Sequence, residues 1–134
     1  MIREELHKAI ENVVWRVNHP PIDILPGEHN SLLDALLEGN KCFEWAFITA
    51  CNPYGKTLNQ LLNFRRHEAL REKLHHYRLF EGEIVILYRN EPSEKGFLIL
   101  GMMRGDAAKI GLLFEQNAIV VGRKGEASEI ITLG

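Results

Sequence analysis

The sequence predicts an α/β or α+β fold, a single domain over residues 1–134 with one mixed β-sheet packed by about three to four helices. Helical and strand periodicities alternate along the whole chain. The 134 residues are enough for one domain with its own core. Hydrophobic residues make up 46% and charged residues 25%, the balance of an ordinary globular protein.

Residues 2–18 read as an amphipathic helix. Leu6, Ile10, Val13, Val14 and Val17 recur at three- and four-residue steps, and Glu4, Glu5, Lys8, Glu11 and Asn12 fill the other face. That helix is set apart as peripheral to a core over residues 20–133. Pro20, Pro21 and Pro26 exclude a helix interior in the next segment and leave room for a short extended piece at Ile22–Leu25. Ser31 or Asn30 then caps a short helix that Gly39 ends. Phe43–Ala50 reads as a strand and the following CNPYGK as a turn. Thr57, with Gln60 three residues on, forms a capping box for a long helix running to about Tyr77. Residues 81–89 and 96–103 read as buried strands, Asp106 caps a third helix through Phe114, and residues 118–122 and 127–133 close as a hairpin.

Composition excludes several functions. Sixteen basic residues against eighteen acidic leave a formal charge of −2, without the basic face of a nucleic-acid binder. No run approaches the roughly 18 apolar residues of a membrane span. The opening MIREELHKAI lacks the apolar stretch of a secretory signal, so a cytoplasmic location is expected. Cys42 and Cys51 bracket one strand, where nine steps of roughly 3.3 Å put them far beyond disulfide reach. The six histidines, His67 and the adjacent His75–His76 among them, lack ligand spacing, so neither metal nor cofactor is expected.

Ala50 to Thr57 approximates a phosphate-binding loop between a strand and a helix, with Lys56 and Thr57 as anion contacts. Ala50 in place of the first glycine, Pro53 within the loop and the lack of a later strand-end Asp argue against a nucleotide hydrolase. The helix from Leu58 to Tyr77 is more informative. Asn59, Asn63 and Arg66 fall in the same arc as its leucines, a polar stripe aimed at the protein body. Burying these groups is costly unless each finds a partner. The stripe is therefore either an internal network, with Arg66 paired to a carboxylate such as Glu91, or the wall of a cleft.

Four fragments, in order, carry a resemblance. Phe47 to Pro53 (FITACNP) resembles a strand signature usually written FITAWNP. Asn63 to Arg66, Glu91-Pro92-Ser93 and Gly111 to Ala118 (GLLFEQNA) follow it. Together they resemble a bacterial domain-of-unknown-function family of small cytosolic proteins, over roughly residues 20–133. Cys51 stands where that family usually has Trp. The resemblance implies no substrate or reaction, but it implies that Thr49, Asn52, Asn63, Arg66, Glu91, Ser93, Gln116 and Asn117 belong together. Those positions lie at element ends, where α/β sheets collect ligands. Asn117 has an alternative role as an αL helix terminator, and Gly111 is read as serving close helix packing.

With no histidine or cysteine in the set to activate Ser93 or Thr49, the leading expectation is a non-catalytic binding or regulatory module for a small anionic ligand or a peptide. One alternative is a small enzyme acting on a nucleotide or phosphorylated metabolite, with Glu91 as acid/base and Arg66 and Lys56 as anion clamp. The other is a protein-interaction domain whose N-terminal helix docks on a partner or on a second copy in a homodimer.

Overall fold

The computed structural model describes residues 12–87 and 92–133. Seven strands form one sheet: β1 (Val13–Val17), β2 (Ile22–Ile24), β3 (Glu44–Thr49), β4 (Arg78–Ile86), β5 (Glu94–Leu100), β6 (Ala118–Arg123) and β7 (Glu129–Thr132). Three helices accompany them: α1 (Ser31–Gly39), α2 (Gln60–Lys73) and α3 (Arg104–Leu113). The strand order is β2-β1-β4-β5-β3-β6-β7. Every neighbouring pair is antiparallel where a mixed sheet was expected, which makes the class α+β. The short β1–β2, β4–β5 and β6–β7 connections leave no room for a parallel crossover, which needs a dozen residues or more.

Period-2 alternation splits the sheet into two apolar faces. Trp15, Trp45, Phe47, Leu98 and Val120 pack with Leu33 and Leu37 of α1. On the opposite face Ala46, Ile48, Phe97, Ile99 and Val121 pack with Leu70 of α2 and Ala107 of α3. Asn30 caps α1 by accepting from the Leu33 N–H at 3.0 Å.

The expected helix over residues 2–18 is corrected where it can be seen. Val13–Val17 is a strand between β2 and β4, and positions 2–11 lie outside the described residues. The β-branched, aromatic run VVWRV places Val13, Trp15 and Val17 on one face, and burial in the sheet outweighs the helical spacing. Two helix starts also move. Asn59, not Thr57, caps α2, accepting from the Leu62 N–H at 2.9 Å, and α3 begins at Arg104 with Asp106 inside its first turn. Among the described residues no helix is long and apolar enough to cross a membrane.

Candidate ligand-binding site

The irregular segment between β3 and α2 is the centre of the polar cluster. Asn52 and Tyr54 both adopt left-handed backbone conformations, φ 49° and 51°, on either side of Pro53. Such residues cost energy and persist when their surroundings over-determine them. The surroundings here do so. The Cys51 N–H donates to Thr49 Oγ1, Asn52 to Asn63 Oδ1, Tyr54 to the Glu115 carbonyl and Leu58 to Asn52 Oδ1. The Gly55 and Lys56 N–H groups close turns onto the Asn52 and Pro53 carbonyls. A phosphate cradle requires such N–H groups to face an anion. Six of them are consumed within the protein, Pro53 has none, and α2 starts three residues later than the motif needs.

The segment's carbonyls are equally committed. Arg66 Nε donates to the Ala50 carbonyl at 2.5 Å and Gln116 Nε2 to the Cys51 carbonyl at 3.1 Å. The other end of the Arg66 guanidinium reaches the Phe114 carbonyl at 2.6 Å and Glu115 Oε1 at 3.4 Å. Arg66 therefore ties β3 to the C-terminus of α3, where a cation also complements the helix dipole. That terminus is a Schellman turn: Gln116 N–H bonds the Gly111 carbonyl, Glu115 N–H the Leu112 carbonyl, and Glu115 takes the left-handed position at φ 59°. The terminator is thus Glu115 rather than Asn117. A Cβ on Gly111 would lie 2.5 Å from Leu133, so this glycine does serve close packing.

Beside the clamped segment, between the start of α2 and the start of β5, lies a cavity of about 680 Å³, within the range of small-molecule sites. Cys51, Asn52, Leu58, Asn63, Phe64, His67 and Glu94 line it, and Thr57, Gln60, Pro92, Ser93 and Lys95 complete the lining. Asn52 Nδ2 donates to Glu94 Oε1 at 2.6 Å, and Asn63 Nδ2 donates to Asn52 Oδ1 at 2.8 Å. The amides thus form a braced wall. Burial pushes the Cys51 thiol pKa up, and the Sγ–H donates to the Lys95 carbonyl at 3.6 Å, so this cysteine is a poor nucleophile.

His67 is 3% exposed and stacks on Phe97 with ring centroids 4.3 Å apart and planes 8° apart. Its Nε2 lies 2.9 Å from Glu81 Oε1, which also receives Arg71. Burial opposes ionisation of Glu81, but the His67 bond and the Arg71 charge outweigh it and hold its pKa below the usual carboxylate range. His67 Nδ1 is buried and finds no hydrogen-bond partner among the described residues.

Residues 48–119 match the model of the family DUF3293, described as a protein of unknown function. The match covers more than half of the chain. The chain belongs to DUF3293. No curated protein and no solved structure matches it. In this DUF3293 chain the matched stretch holds the clamped segment, α2, α3 and the cavity lining.

The sequence-predicted residues separate into groups. Asn52, Asn63 and Ser93 line the cavity together with Thr57. Ser93 Oγ donates to Glu83 at 2.9 Å. Thr49, Arg66 and Gln116 hold the segment from behind, and Thr49 Oγ1 donates to the Lys95 carbonyl at 2.7 Å. Asn59 is occupied as a helix cap, Lys56 does not line the cavity, and Asn117 accepts the Leu133 N–H through its carbonyl. Glu91 lies outside the described residues, and the carboxylate that Arg66 meets is Glu115. Sequence reasoning missed His67 and Glu94. His67 follows Asn63 by four residues on the inward stripe, a signal that consideration of metal spacing alone set aside. Glu94 was read as part of a connection, whereas β5 starts there. Among the described residues no group of three or more His, Cys, Asp and Glu is arranged to hold a metal ion.

Proposed function

We propose that this DUF3293 chain is a small-molecule binding module whose ligand occupies the cavity between α2 and β5. One observation carries the reading: the cavity's polar wall is braced by its own hydrogen bonds, with Asn52 held by both Asn63 and Glu94. Rigid backing and a pre-formed site favour binding, because little ordering remains to oppose it.

The anion clamp of the enzyme alternative has no support from this geometry. Arg66 is bonded to two carbonyls and a carboxylate, and the loop N–H groups are consumed. The interaction-domain alternative relied on a peripheral N-terminal helix, and its second half is an internal strand.

The test is thermal denaturation against a broad metabolite panel, with wild type and Gln60→Trp side by side. Gln60 is exposed at the cavity rim on the first turn of α2, so the indole blocks access without disturbing the core. At least one compound should raise the wild-type Tm and leave the variant unmoved. A panel without any wild-type shift, or shifts identical in Gln60→Trp, would overturn the reading.

A further inference from the structure

Resting on the binding reading above, we propose that the cavity's ligand carries a flat, unsaturated ring that stacks on Phe64. Gln60, Asn63, Phe64 and His67 all line the cavity. At steps of three and four residues they form one stripe of α2, so Phe64 stands on the helix's cavity-facing flank. It is nevertheless 54% exposed. Single apolar side chains at a surface are ordinary and by themselves mark nothing. Of the large apolar side chains exposed among the described residues, however, Phe64 alone lines the cavity.

Its ring is also unoccupied. Phe97 has His67 stacked on it and the Arg71 guanidinium 4.9 Å from its centroid, and Phe80 has Arg78 at 5.1 Å. Phe64 makes no such ring or cation contact among the described residues. From the β5 side, Pro92 is exposed and lines the same cavity, so apolar side chains stand on both walls. An aromatic ring attracts a second ring, offset or edge-on, beyond the gain from buried area alone. Glu94 and Lys95 give the lining both signs of charge, so the ring and not a charge defines the class. A nucleobase, a nicotinamide or an aromatic acid belongs to it, and a sugar phosphate does not.

Matched pairs separate ring from charge in an NMR titration of the full chain: benzamide with cyclohexanecarboxamide, and benzoate with cyclohexanecarboxylate. Adenine serves as a larger planar ligand and ribose 5-phosphate as one without a flat ring. The planar member of a pair should bind about threefold to tenfold tighter than its saturated partner. Its ring protons should also shift upfield in the complex, under the Phe64 ring current. Phe64→Leu keeps an apolar side chain and removes the ring, so the tighter binding of every planar ligand and the upfield shift should both be lost. Phe64→Tyr should keep both. With more than half of the side chain exposed, neither substitution should lower the Tm appreciably. Equal affinity within the pairs, tighter binding of compounds without a flat ring, or a planar preference that survives in Phe64→Leu overturns this proposal and leaves the binding reading standing. If neither these compounds nor the broad metabolite panel binds, both fall.

Discussion

Asn52 and Asn63 bond each other twice: the Asn52 N–H donates to Asn63 Oδ1 at 2.9 Å, and Asn63 Nδ2 donates to Asn52 Oδ1 at 2.8 Å. One helix side chain thereby holds both the backbone and the side chain of a residue in the left-handed region. Asn63→Ala removes both bonds and leaves the Asn52 N–H without its acceptor. A loss of about 2 kcal/mol is expected in urea denaturation. Asn63→Asp keeps the acceptor but sets a carboxylate against Asn52 Oδ1, so it should rescue little of the loss.

Arg66 is a structural tie. Arg66→Met should cost about 2–3 kcal/mol, because the Ala50 and Phe114 carbonyls lose a charged donor. Phosphate should stabilise neither the wild type nor the variant. A wild-type Tm that rises with phosphate, at constant ionic strength, and no longer rises in Arg66→Met would reverse this assignment.

The sheet's glycines separate two kinds of close approach. A Cβ on Gly82 would lie 2.3 Å from the Arg16 carbonyl oxygen, which is backbone, as well as 2.9 Å from the Phe47 ring. On Gly122 it would meet the Trp45 side chain, at 2.6 Å. Both alanine substitutions should destabilise, by about 1–3 kcal/mol or more. Trp45→Leu should relieve Gly122→Ala in a double-mutant cycle, whereas Phe47→Leu should not rescue Gly82→Ala.

Acid should weaken the fold through carboxylates whose folded pKa is depressed. The Arg16 hydrogen bond lowers Asp23; the Gly125 N–H and His29 lower Asp34 against the opposing effect of burial; His67 and Arg71 lower Glu81. Each contribution is present above the unfolded-chain value, about 4 for Asp and Glu, and is lost as pH falls through the depressed folded value. Glu81 is half exposed, so its share is under about 1 kcal/mol. Glu81→Gln should flatten the Tm-versus-pH curve below about pH 4.5; an unchanged acid limb would contradict the shift.

The two thiols should react in order. Cys51 is buried with a raised pKa, whereas Cys42 is half-buried. With a thiol-specific disulfide reagent near pH 8, one equivalent should react in the folded protein and a second only on unfolding. Mass mapping should place the first on Cys42.

Short-range chemistry determined much of this protein from the sequence alone. β3, α1, the terminal hairpin and the inward turn of Asn63 and Arg66 all follow from periodicity and side-chain type over a few residues, while the structure chooses Asn30 over Ser31 as the α1 cap. The resemblance to a domain-of-unknown-function family was likewise legible in the sequence. Tertiary structure decided what depends on distant partners. Val13–Val17 has helical spacing, and only pairing with β2 and β4 makes it a strand. The α2 cap falls at Asn59 because the preceding residues are drawn into the Asn52 clamp. Arg66 could have faced a ligand or a carbonyl, and the choice belongs to the Schellman turn of α3, 48 residues away. The surroundings of His67 are set by Glu81 and Phe97, on two other strands, which hold one ring nitrogen and stack against the ring. A sequence records which groups can bond; folding selects which of them are left without a partner.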